Sequence, residues 1–226
     1  MLDSKQLPDN IILRLRYSRV EPAVWLAHLD LMRTFERSIR RAGLPVAYSQ
    51  GYNPRPHLAF ALPIGVGLAT LDDYVDVYLT EPVEPADLIE RLNRSLPAGL
   101  SILAAAPVSG IGPSLMSRIC AADYILDGVG LTEAAERLAA LPEDQPWLVE
   151  KNSKGKMVTV NIRPLLLEML PEGPDRLRIR VSAGSKENMR PDLYLSALVS
   201  LGGLDAIAAG DTAVTRARLL TLDDER

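Results

Sequence analysis

The stretch HLDLMRTFERSIRRAGLPVAYSQGYNPRPHLAF, residues His28–Phe60, decides the fold because it holds a helix, a loop and a strand in that order. Its first half predicts a helix over His28–Ala42. Leu29, Met32, Phe35 and Ile39 recur at helical spacing and form the expected buried stripe. Gly43 supplies a left-handed cap, and Pro45 stops any continuation. Arg33, Arg37 and Arg41 lie four residues apart and are expected on one face, with Glu36 positioned to pair with Arg40. Gly51, Pro54 and Pro56 mark Tyr48–Pro56 as a loop, and a strand is expected over His57–Leu62.

Upstream, Ile11–Val20 alternates. Leu13, Leu15 and Tyr17 point one way and Arg14, Arg16 and Ser18 the other, the period of a half-buried strand. Downstream, Gly65 and Gly67 mark a turn before a strand at Tyr74–Leu79. Glu84–Leu96 reads as a helix with Leu88, Ile89 and Leu92 inward, and Leu100–Pro107 as a short apolar strand. Strand, helix, strand, strand, helix, strand is the ferredoxin-like split βαβ order. Gly and Pro cluster at Ser109–Ser114, the expected linker, which gives domains over 1–108 and 115–226. The second half follows the same scheme with one extra strand. Strands are expected at Asp123–Asp127, Arg176–Ala183 and Ala213–Leu220, with a hairpin formed by Trp147–Glu150 and Met157–Ile162. Helices are expected at Thr132–Leu141 (Thr132 as N-cap or first turn) and Pro191–Leu201. The expected fold class is α+β, two ferredoxin-like βαββαβ-type domains in tandem.

The chain has 226 residues, 47% hydrophobic and 24% charged, an ordinary globular composition. A single cysteine, Cys120, excludes a disulfide framework, a self-contained iron–sulfur cluster and a cysteine-type zinc site. No apolar run approaches the roughly 18 residues of a membrane span, and MLDSKQLPDN lacks the order of a signal peptide. A cytoplasmic location without membrane contact is expected. There is no nucleophile elbow, phosphate loop, dinucleotide glycine pattern or metal-ligand spacing. The expectation is no cofactor, no metal and no catalytic activity of its own.

Charge is distributed unevenly. The net charge is −4, and five lysines among 25 cations leave the rest as arginine, the residue suited to planar phosphate contacts. Between His28 and Phe60, five arginines against Asp30 and Glu36 give +3, so the remainder carries −7. In a ferredoxin-like domain the first and third strands are central. Val75, Val77 and Leu79 are expected to face the helices, which leaves Arg14 and Arg16 on the open face beside Tyr74, Asp76 and Tyr78. Arginine planes and aromatic rings on an open sheet are what single-stranded RNA readers use. The loop offers Gln50, Tyr52, Asn53 and Arg55, followed by His57, on a stiff proline-bounded frame. The expected RNA- or anion-binding residues are thus Arg14, Arg16, Arg33, Arg37, Arg41, Gln50, Tyr52, Asn53, Arg55, His57, Tyr74 and Tyr78. The alternative for the loop is a structural turn with Tyr52 packed inward. Arg176, Arg178, Arg180, Arg216 and Arg218 form either a solvated face paired with neighbouring acids or a further anion or domain contact. Lys151–Lys156 reads as a solvated basic hairpin tip or a phosphate contact.

The run from His28 to Gly67 resembles the opening of the radical-SAM-linked family, a domain of unknown function. LVEKNSKGKMVTVNIRPLL and the Asn188–Pro191 step resemble it as well. The family usually has Ser at the position of Ala27, where it would cap the helix. This resemblance implies an RNA-binding accessory module that works with a radical SAM enzyme or at the ribosome. The block is also distantly similar to double ferredoxin-like endoribonucleases that process CRISPR repeats, which implies His28 as a general acid or base. The alternatives are therefore a protein-interaction module that docks on an enzyme partner without nucleic acid, and a metal-independent endoribonuclease using His28.

Overall fold

The computed structural model describes residues 11–108, 114–153, 155–185 and 187–222. The N-terminal segment, nearly all of the expected linker, Lys154 at the hairpin tip and the tail Asp223–Arg226 lie outside them. The chain divides into two compact units, Met1–Met116 and Ser117–Arg226.

In the first unit the elements are β1 (Ile11–Arg19), α1 (His28–Arg41), β2 (Leu58–Phe60), β3 (Ala69–Leu79), α2 (Pro85–Ser95) and β4 (Leu100–Pro107). β1 pairs antiparallel with both β3 and β4, and β2 pairs with the outer side of β3. The strand order 4-1-3-2 is the ferredoxin-like arrangement. The core forms where Leu13, Leu15, Tyr17, Val75, Val77 and Leu79 meet Leu31, Phe35 and Ile39 of α1 and Leu88 and Leu92 of α2. β3 begins five residues earlier than the alternation predicts, and β2 is shorter than expected.

One helix prediction needs correcting. Leu29 is 62% exposed, and the inner stripe of α1 runs through Leu31, Phe35, Ser38 and Ile39. Glu36 and Arg40 do not pair. Arg40 instead lies over the Tyr48 ring, 6.0 Å from its centre. The helix ends as expected. Gly43 adopts φ +61°, its N–H donates to the Arg40 carbonyl, and the Leu44 N–H donates to that of Ile39, a Schellman closure.

A single helical turn (α3, Leu115–Arg118) runs across the boundary in the chain, and the second unit then has β5 (Ile119–Asp127), α4 (Leu131–Ala139), β6 (Leu148–Ser153), β7 (Lys156–Asn161), β8 (Leu166–Gly173), β9 (Arg176–Ser182), α5 (Pro191–Ser200), α6 (Ala206–Asp211) and β10 (Ala213–Thr221). Its main sheet runs β10-β5-β9-β8, the same 4-1-3-2 order. β6 and β7 form a separate hairpin between α4 and β8. The expectation of one extra strand is thus revised to two, both outside the main sheet. β8 fills the edge position that the sequence reading left unassigned. Thr132 lies in the first turn of α4, and its hydroxyl donates to the Gly173 carbonyl at 2.5 Å. Gly130 caps that helix with φ +76°.

Candidate nucleic-acid interface

The loop after α1 is held at its base by backbone. Ala47 N–H donates to the Tyr78 carbonyl (2.7 Å) and His57 N–H to that of Ala47 (2.7 Å). A bridge between Tyr48 and Pro56 adds another rung, and Ser49 N–H donates to the Arg55 carbonyl (2.9 Å) while the Ser49 hydroxyl accepts from Arg55 N–H (3.1 Å). The chain reverses between these rungs, where Gly51 takes φ +133°, a region that favours glycine. Two prolines and this ladder make Gln50–Pro54 a stiff projection from β3.

That projection stands against α1. Arg33, Glu36, Arg37 and Arg40 from the helix and Asn53, Pro54 and Arg55 from the loop line one groove of about 420 Å³. Four arginines face one glutamate. Arg33 pairs with Asp30 at 3.1 Å, a pair exposed on both sides and so of small strength. The side chains of Arg37 and Arg55 make no hydrogen bond or ion pair with the described residues. Tyr52, the neighbour of Asn53, is fully exposed at 105%. This excludes the inward-packed alternative for its ring.

Other expected contacts are engaged elsewhere. Arg41 donates to the Ser95 carbonyl (2.6 Å) and the Ser38 hydroxyl (3.1 Å), closing the end of α2. Arg91 of α2 returns the favour at the end of α1, donating to the carbonyls of Ala42 and Gly43. The reason is helical drift. At about 100° per residue, a four-residue step overshoots by about 40°, so Arg41 sits about 80° from Arg33 and Arg40 only about 20°. Arg40 takes the groove position that the sequence reading gave to Arg41.

The sheet-face arginines are engaged within the unit as well. Arg14 makes a two-point contact with Asp76 (2.8 and 2.9 Å), directly opposite in register, and Arg16 makes one with Asp72. Their charges are met by carboxylates before any ligand arrives. Val75, Val77 and Leu79 do face the core. Tyr78 stacks on His57, ring centres 3.8 Å apart and planes at 13°. Tyr74 is half-buried on the Arg14 side of β3. Burial lowers the His57 pKa and raises that of Tyr78. His28 packs edge-on to Phe60 at 5.8 Å, and burial, then the nearby Arg19 charge, lowers its pKa. Burial and the Arg19 charge both disfavour the protonated form that a general acid would need.

The arginine rows of the second unit follow the paired alternative. Arg180 and Arg218 both donate to Asp123, Arg178 to Glu172, and Arg176 to Glu172 and Asp127. Arg216 is 1% exposed. Sequence reasoning also missed a recurring step. Asn53-Pro54-Arg55-Pro56 precedes β2, and Asn161-Ile162-Arg163-Pro164 precedes β8, the equivalent strand of the second unit. Arg163 is engaged, donating to the carbonyls of Leu141, Pro142 and Gln145 and lying 5.1 Å from the Trp147 ring centre. Arg55 in the first unit projects into the groove instead.

Among the described residues no helix is long and apolar enough to cross a membrane, and no group of three or more His, Cys, Asp or Glu is gathered for a metal. A comparison with curated proteins finds no match. A family profile matches residues 13–191, most of both units. The chain belongs to the bacterial family described as an uncharacterized protein conserved in bacteria (DUF2344).

Proposed function

We propose that this protein is an RNA-binding accessory module, and that the groove between α1 and the Gln50–Arg55 loop receives the phosphate backbone. The observation that carries this reading is the gathering of Arg33, Arg37, Arg40 and Arg55 around one groove with a single acid. Arginine forks match phosphate oxygens in two-point contacts, and several together give salt-dependent affinity. Resemblance to the radical-SAM-linked family supports a radical SAM enzyme, or the ribosome, as the setting. With one cysteine, the chain would serve beside a cluster-bearing enzyme rather than hold a cluster itself. A filter-binding assay with cellular RNA at low and high salt tests the reading. The expected result is salt-sensitive retention that an Arg37→Ala, Arg55→Ala variant loses while staying folded. No salt-sensitive retention by the wild type rejects RNA.

A second reading rests on the exposed Trp25 (65%), in the short turn before α1, and Leu29 (62%), in the first turn of α1. Tryptophan and arginine are the residues that most often anchor protein interfaces. On this reading the same arginines meet the acidic surface of an enzyme partner. Arginine-dependent capture of a protein without RNA distinguishes it.

A further inference from the structure

We infer that the RNA held by this groove is single-stranded, and that one unpaired base stacks on Tyr52 while the sugar-phosphate chain follows the arginines of α1. The inference rests on the RNA reading above and narrows its substrate class. Three observations carry it.

The first is the groove's size. About 420 Å³ between one helix face and one loop matches a ligand of nucleotide dimensions. Duplex RNA is recognised instead across a broad, shallow surface spanning many base pairs. Arg33, Arg37 and Arg40 rise along α1 in steps of about 4.5–6 Å, a ladder for successive phosphates of one strand.

The second is Tyr52. A tyrosine ring wholly in solvent gives up the burial that ordinarily stabilises an aromatic side chain. It sits at the tip of a backbone-laddered loop, next to the groove-lining Asn53. A ring presented this way needs little ordering when a base covers it, and stacking accepts any base.

The third is the pair of amides. Gln50 and Asn53 flank Tyr52, and both are exposed. Neither side chain bonds to the described residues, so their donors and acceptors remain available for a base edge. The Watson–Crick edge, which an amide can meet with a donor and an acceptor together, is open only in an unpaired strand. The His57–Tyr78 stack takes no part, because neither ring lines the groove.

The test is fluorescence anisotropy with the full chain and two labelled RNAs, an unstructured twelve-nucleotide strand and the same strand annealed to its complement. The variants are Tyr52→Ala, Tyr52→Trp and Arg37→Ala with Arg55→Ala. Because Tyr52 supports nothing, the first two should melt as the wild type does. The expected result is tighter binding of the single strand than of the duplex. Tyr52→Ala should weaken it roughly five- to hundredfold and Tyr52→Trp should retain it. Salt-sensitive binding that depends on the arginines but is unchanged in Tyr52→Ala, or equal for both RNAs, overturns this inference and leaves the RNA reading intact. Salt-sensitive binding of neither RNA removes both.

Discussion

Asp123 shows how a carboxylate is kept charged inside this protein. It is 3% exposed, and burial alone would raise its pKa. Hydrogen bonds and charge from Arg180 and Arg218 outweigh that and hold it below the ordinary carboxylate value. Because the folded pKa is depressed, the stabilisation is complete above the unfolded value near 4 and is lost as pH falls through the folded one. Asp123→Ala should lower unfolding stability at neutral pH by about 1–3 kcal/mol, since both arginines are partly solvated. It should also flatten the acid limb of a urea-midpoint profile. An unchanged midpoint at pH 7 contradicts this account. Arg14 and Asp76 make the matching pair in the first unit with the signs exchanged between the two central strands. Alternation placed Arg14, Arg16 and Arg180 on the correct face. It offered charge pairing as one of two alternatives in the second unit and did not foresee it in the first, because Asp76, Asp72 and Asp123 approach only once the strand register is fixed.

At the scale of elements, capping and drift decide what the sequence reveals. The end of α1 was legible because Gly43 and Pro45 act locally. Its facing was less so, because Leu29 and Leu31 both fit helical spacing and only packing against β1 and β3 selects Leu31. β8 escaped notice because bulges after Leu166 and Pro171 break the period-two pattern. Such bulges and a proline also protect an edge strand from pairing with another chain. The start of α1 lacks a side-chain cap, with Ala27 in extended conformation at the N-cap position. Ala27→Ser should therefore raise stability by about 1 kcal/mol. A melting temperature equal to or below that of the wild type would contradict the cap assignment.

For the whole molecule, the central quantity is a positive island in an acidic chain. The sequence located that island by counting and named the loop that forms one wall. Arg41 lies outside the groove wall that Arg40 joins, and Arg14 and Arg16 on the sheet face pair with Asp76 and Asp72. What remains is one helix face and one laddered loop, and Arg37 and Arg55 line the groove between them. The decisive measurement is the salt dependence of binding between the whole protein and single-stranded RNA, for the wild type and the Arg37→Ala, Arg55→Ala variant. The account predicts a linear fall of log affinity with log salt, shallower by about 1.4 in the variant, or about 0.7 for each phosphate contact removed. A flat salt response in the wild type, or the same slope in both proteins, would contradict it.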